Sequence, residues 1–180
     1  MTSICARAPG KVVLSGEYAV LRGAPAIATA VDRHAVVEIS LTEDNFHRVG
    51  TPGHADGSWR FIADSQGQID WLDKPPTQGL GLIEAGWRTI LPSSESGLSI
   101  TIDTTEFFAT GSTEKLGLGS SAAAMTALIG ALERLGSKSS DVYMEARNAH
   151  RELQQGLGSG VDVTTSCFGG VIEFRSDTAD

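Results

Sequence analysis

The stretch EKLGLGSSAAAMTALIGALERLG, residues 114–136, runs from a Gly/Ser-rich segment straight into an apolar, helix-forming run. Met125, Leu128, Ile129, Leu132 and Leu135 fall at i, i+3, i+4, i+7 and i+10, and Gly136 stands where a helix would stop. This spacing predicts an amphipathic helix whose first turn begins at Ser120 and Ser121. A helix start leaves N–H groups without intrahelical partners and carries the positive end of the dipole. Gly117 and Gly119 remove side chains there, so backbone could approach an anion closely. Lys115 adds a charge, and Ala122, Ala123 and Ala124 keep the first turn narrow. The same residues also describe an ordinary loop with a serine cap, and the stretch alone leaves both readings open. A Walker A loop is excluded, because Gly119 is followed by Ser-Ser-Ala. A dinucleotide fingerprint fits only in its loose form, with Ala122 in place of the last glycine.

The bulk numbers narrow the setting. The chain has 180 residues, 41% hydrophobic and 20% charged, a globular composition with enough length for one core. No apolar run reaches the roughly 18–20 residues of a membrane span, and the N-terminus lacks the roughly 7–15-residue apolar segment of a signal peptide. A cytoplasmic protein without membrane contact is expected. A net charge of −8 disfavours a nucleic-acid binder, and requires any anionic ligand to be held by local cations and N–H groups. Cys5 and Cys167 fit no metal or redox spacing, and His34, His47, His54 and His150 form no metal-binding pair.

Residues 3–42 read as strands, with AIATAVD (26–32) and AVVEISL (35–41) as two short ones. NFHRVGTPGHADGS (45–58) reads as a loop or hairpin end, followed by a hairpin of WRFIAD and QIDWL around SQG. Leu80, Ile83, Trp87, Ile90 and Leu91 share a helical face that ends at Pro92. LSITIDT alternates as a strand. A further helix is expected from a cap at Ser140 or Asp141 to about Gln155, with Val142, Ala146, Ala149 and Leu153 buried. GGVIEF closes the chain as a strand. The order predicts an α+β domain, a mostly antiparallel sheet with helices packed on one face.

Two further stretches carry chemistry. APGKVVLSGEYAV (8–20) sets Lys11 after a Pro-Gly turn at the start of a strand, with Ser15, Glu17 and Tyr18 at its far end. GSGVDVTTSCFGG (158–170) holds Asp162 between two valines in an otherwise uncharged run. That aspartate either caps a helix or turn, or is a partly buried functional carboxylate.

Taken in this order, APGKVVLSGEYAV, GLGSSAA and GSGVDV…FGG resemble the GHMP kinases, which include galactokinases, homoserine kinases, mevalonate kinases and phosphomevalonate kinases. The likeness covers nearly the whole chain, residues 6–174. It implies an ATP-dependent kinase for a small-molecule acceptor, with Mg²⁺. Gly117, Leu118, Gly119, Ser120, Ser121 and Ala122 would bind the ATP phosphates together with Lys115. Ser121 would be a Mg²⁺ ligand. Lys11 and Asp162 match the family's catalytic pair, and Ser15, Glu17, Tyr18, Ser159 and Gly160 are candidates for acceptor contacts. The Mg²⁺ carboxylate would come from Glu152, although its spacing to Asp162 is one residue short of the family pattern, so Gln154 or Gln155 competes for that place. The opening is similar to that of both mevalonate and phosphomevalonate kinases, and between the two the KLGLGSSAA loop, without a preceding Pro-Pro, and GSGVDV after Gln-Gly favour phosphomevalonate kinases.

The resemblance also implies a partial chain. GHMP kinases are longer, with a second domain that bears a third Gly-rich motif, and none is found here. Residues 1–180 are expected to be the N-terminal, ATP-binding domain, with self-association through surface that the second domain would cover. The competing readings are a mevalonate, sugar or other small-alcohol kinase, and a non-catalytic nucleotide-binding or scaffold module.

Overall fold

The computed structural model describes residues 3–76, 80–92, 96–136 and 141–176. Its organising element is α2 (Ser120–Gly136), the helix of the 114–136 stretch. The five predicted apolar positions are buried or half-buried, and so are Ala122, Ala123, Ala124, Ala127 and Ala131 on the remaining sides. The helix is therefore central, not amphipathic, in keeping with its apolar residues on every side. It packs on strands β1 (Ser3–Ser15) and β2 (Ala26–Thr42), and its other sides meet α1 (Gly81–Ile90), α3 (Val142–Leu153) and α4 (Val161–Phe168). Alanines at these contacts let backbones approach closely, so one helix can serve two layers.

The sheet is the predicted one: mostly antiparallel, with helices on one face. Its remaining strands are β3 (His47–Thr51), β4 (Ala55–Ala63), β5 (Ile69–Trp71), β6 (Gly97–Asp103) and β7 (Val171–Phe174). The order is β1-β2-β6-β3-β4-β5, and β3 with β6 is a parallel pair. β7 joins the early part of β2, Ala26 to Thr29, on the edge that β6 takes over from Val36 onward.

Three sequence readings change. Residues 26–41 form one continuous strand, not two. Its register against β1 skips Asp32 and Arg33, so a bulge absorbs the polar pair and pairing continues. The stretch 45–58, read as a loop or hairpin end, is the hairpin end together with its strands: it contains β3 and the start of β4, an antiparallel pair turning at Pro52-Gly53-His54. Its strand is hidden in HRVGT, where buried Val49 and Thr51 alternate with Arg48 and Gly50. α4 departs from the sequence pattern, because VDVTTSCF is rich in β-branched residues that disfavour helix. Thr164 and Thr165 compensate by donating their hydroxyls to the carbonyls of Gly160 and Val161 at 2.9 and 2.7 Å.

Smaller shifts follow local chemistry. Asp141 caps α3, accepting from the N–H groups of Tyr143 and Met144 at 3.0 and 3.3 Å. The alternative cap, Ser140, lies outside the described residues. α3 ends at Leu153, ahead of the expected Gln155, and buries His150 beside the predicted Ala146 and Ala149. In α1 the face Leu80, Ile83, Trp87 and Ile90 is buried, but Leu91 turns outward in a left-handed cap.

His47 of β3 stacks between Phe61 and Trp87, with ring centroids 5.1 and 4.6 Å away. Its Nδ1 accepts the N–H of Leu98 at 3.2 Å, and burial pushes its pKa below the ordinary 6.5. The unfolded chain therefore binds a proton near pH 6.5 that the folded chain refuses, so stability is full above that value and falls as pH drops below it. Asp73, held near about 2 by Arg60, titrates too low to contribute in that range. Urea midpoints should fall between about pH 7.5 and about pH 5.5, and His47→Phe should reduce that fall while lowering the midpoint at neutral pH, with the remainder coming from buried His150, whose pKa burial also lowers. An unchanged slope in the variant would remove His47 from the explanation.

Candidate functional site

The site begins where β1 meets the loop ahead of α2. The N–H of Lys11 donates to the carbonyl of Leu118 at 2.8 Å. Gly10 makes this approach possible, because a Cβ there would lie 2.6 Å from the Leu118 oxygen and 2.6 Å from the Phe107 ring. One residue on, Gly119 has φ +76°, and a Cβ would stand 3.1 Å from both Cγ and Cε of Lys11. The lysine stem thus runs across a position that must lack a side chain.

The ammonium of Lys11 ends 2.9 Å from Oδ1 of Asp162, with side-chain exposures of 13% and 30%. Of the two readings of Asp162, the structure selects the partly buried carboxylate. Gly160 occupies the cap of α4, and Asp162 sits inside the first turn, facing β1. Ser159 supports that turn by accepting the N–H of Val161 at 3.3 Å. Behind it, Val161 packs with Val20, Ala26, Ala28 and Phe174, which anchors the start of α4 beside the 3₁₀ turn Ala19–Arg22.

At the start of α2 the first i→i−4 bond runs from Ala123 N–H to the Gly119 carbonyl at 3.1 Å. The N–H groups of Ser120, Ser121 and Ala122 precede it, at the positive end of the dipole. Ser121 is exposed, and its Oγ lies 3.1 Å from Nε2 of His150 on α3. Burial pushes the His150 pKa below its ordinary value, against the opposing charge of Asp162. A cavity of about 690 Å³ opens beside this helix start, lined by Lys115, Ser120 and Ser121 on one side and by Trp71, Leu80 and Thr104 on others. The Lys115 ammonium lies 5.8 Å above the Phe108 ring.

The predicted residues therefore divide. Lys11, Leu118, Gly119 and Asp162 meet directly. Lys115, Ser120 and Ser121 share the cavity, and Ser159 and Gly160 shape the turn that carries Asp162. Ala122 is fully buried and shapes the helix start from within. Gly117 lies in the same loop with open space around it. Ser15, Glu17 and Tyr18 stand exposed at the end of β1. Glu152 is turned to α1, where it pairs with Arg88 at 2.5 Å, while its neighbour Leu153 and Gln155 line the cavity. No cluster of His, Cys, Asp or Glu able to hold a metal occurs among the described residues. At the helix start Ser121 presents one hydroxyl, a hard oxygen of the kind Mg²⁺ takes beside phosphate oxygens and water. Sequence reasoning missed His150, Trp71 and Thr104, which lie on separate elements with no local motif.

This arrangement is an α+β domain with a glycine loop feeding a buried helix and a lysine–aspartate pair at its mouth. Residues 82–170 match the family model described as GHMP kinases N terminal domain, and the chain belongs to that family. It is 30% identical over 96% of its length to a mevalonate kinase of Thermococcus sibiricus, covering 51% of that protein. It is 34% identical over 95% of its length to a mevalonate kinase of Methanothermobacter thermautotrophicus, covering 50% of it. Among solved structures, the Lin0012 protein from Listeria innocua superposes with TM-score 0.80 at 25% identity, over 97% of this chain and 49% of that one. The chain spans about half the length of the curated relatives it matches.

The pair geometry makes a measurable claim. In a double-mutant cycle with Lys11→Met and Asp162→Asn, urea unfolding should give a coupling of about 1–3 kcal/mol, because each single change strands a poorly hydrated partner. Additive effects would mean that the pair does not hold β1 to α4.

Proposed function

We propose that this chain binds the triphosphate of ATP at the start of α2 and takes part in phosphoryl transfer to a small alcohol, with mevalonate as the favoured acceptor. The observation that carries this is the 2.9 Å contact between Lys11 and Asp162 at the loop that leads into α2. Sequence reasoning preferred phosphomevalonate. The curated relatives are named mevalonate kinases, and that supports the second acceptor better than the first.

In this reading the acceptor oxygen attacks the γ-phosphorus, the new O–P bond forms as the bond to the ADP oxygen breaks, and ADP leaves. The N–H groups of the first turn of α2 hold phosphate oxygens. Lys11 neutralises charge on the group in transfer. Asp162 takes the proton that a hydroxyl acceptor gives up. Mg²⁺, when bound, would screen the phosphate charge beside Ser121. The cavity beside Lys115 is large enough for the rest of a nucleotide. The other wall of the cleft would come from a second domain of the kind that fills the remaining half of the relatives' length.

Calorimetry of the 180-residue chain with Mg·ATP should show binding that weakens about tenfold or more in Ser121→Ala and in Lys11→Ala. Absence of binding by the folded chain at millimolar ATP would overturn the nucleotide site. Binding without turnover would favour the module reading. Where turnover occurs, Asp162→Asn should cost more with mevalonate than with phosphomevalonate. A phosphate acceptor, with its second pKa near ~6, needs no base at neutral pH. Equal losses with both acceptors would remove Asp162 from proton transfer.

A further inference from the structure

α3 buries an imidazole where an apolar side chain would pack as well. His150 is 3% exposed, beside Ala146 and Ala149, which let α3 lie close to α2. Burying a polar ring carries a desolvation cost that needs a partner to offset it. The contact found is Ser121 Oγ at 3.1 Å from Nε2. Ser121 does not need this bond for satisfaction, since it is exposed and water can serve it. What the bond adds is direction. A serine in the first turn of a helix rotates freely among rotamers, and its hydroxyl can present either a proton or lone pairs to the cavity. A neutral imidazole has one N–H and one acceptor nitrogen, so contact with Nε2 fixes the rotamer, and the tautomer sets the sense of the hydroxyl.

The ring also borders a second cavity, of about 20 Å³, with Gln154, Ser159 and Gly160. That is room for a single water. His150 thus stands between the helix start that bears Ser121 and the turn that bears Asp162.

Resting on the nucleotide reading of the large cavity, we propose that His150 is a positioning residue. Its Nε2 accepts the Ser121 hydroxyl proton, so that Oγ turns its lone pairs toward the cavity, where a phosphate-bound divalent cation needs an oxygen ligand. The N–H groups of the helix start already supply donors for phosphate, so an acceptor is what the site lacks. Glu152, the carboxylate nearest to the expected place, is engaged by Arg88.

Three variants separate this from a packing role. Glutamine at 150 places its amide near the position of Nε2, asparagine reaches only that of Nδ1, and leucine fills space alone. Each folded protein would be titrated with ATP in Mg²⁺ and in EDTA. The gain in ATP affinity on adding Mg²⁺ should fall about tenfold in His150→Leu and His150→Asn and be largely kept in His150→Gln, with affinity in EDTA nearly unchanged in all three. An intact gain in the leucine variant, or equal loss in the glutamine and asparagine variants, would overturn the proposal. Imidazole ¹⁵N NMR of the nucleotide-free chain reads the tautomer directly and needs no ATP. The Nδ1–H form, with an Nε2 signal that shifts in Ser121→Ala, is expected, and an Nε2–H form overturns the proposal. Wild-type protein that binds neither form of ATP would count against the nucleotide site, while the NMR result would still decide His150.

Discussion

A single backbone hydrogen bond, from Lys11 N–H to the Leu118 carbonyl, ties the edge strand to the loop that feeds the central helix. Much of the site follows from that tie. It requires Gly10 and Gly119 to lack side chains, since either Cβ would collide with Leu118, Phe107 or the lysine stem. It sets Lys11 so that its ammonium meets the first turn of α4. It also fixes the loop 116–119 against a strand, so the N–H groups at the start of α2 are aimed by rigid neighbours and not by a mobile segment. A site placed this way is preorganised: little ordering is left for a ligand to impose.

α2 explains why so small a domain can hold the site steady. Its alanine-rich first turns are buried between the sheet and three other helices. The mouth of the helix is the part that reaches solvent, through Ser120 and exposed Ser121. The interior position therefore fixes the axis, and the glycine loop leaves the end open.

What the sequence revealed and what it concealed divide along physical lines. The phosphate-loop candidate, Lys11 and Asp162 each allowed an ordinary reading alone, and stood out as candidates because the three stretches occur in one order along the chain. The helix α4 was concealed because its valines and threonines favour strands, and only back-bonded hydroxyls and tertiary packing reverse that preference. β3 was concealed by arginine and glycine on its open face, though its inward positions alternate correctly. His150 carried no local signal at all. A histidine in an amphipathic helix is ordinary until the opposite helix places a serine 3.1 Å away. Functional residues that work through a partner on another element are invisible to spacing, and the cavity wall from Trp71 to Thr104 is of the same kind.

The net charge of −8 makes an anion site at this place a matter of local arrangement. Over distances beyond about 10 Å, salt screens the global field, so only nearby groups decide. Those groups are Lys11, Lys115 and the positive end of α2. Of the acids nearby, Glu84 on the cavity wall accepts the Trp71 Nε1–H at 2.9 Å, while Asp162 is engaged by Lys11 and Glu152 by Arg88. The second pair is exposed and contributes little to stability on its own. Its consequence lies in direction, because it draws a carboxylate at the end of α3 toward α1, while Leu153 and Gln155 on either side face the cavity. A free carboxylate turned inward there would repel phosphate. In the proposed nucleotide reading, Arg88, which belongs to none of the recognisable motifs, would keep one carboxylate out of the cavity.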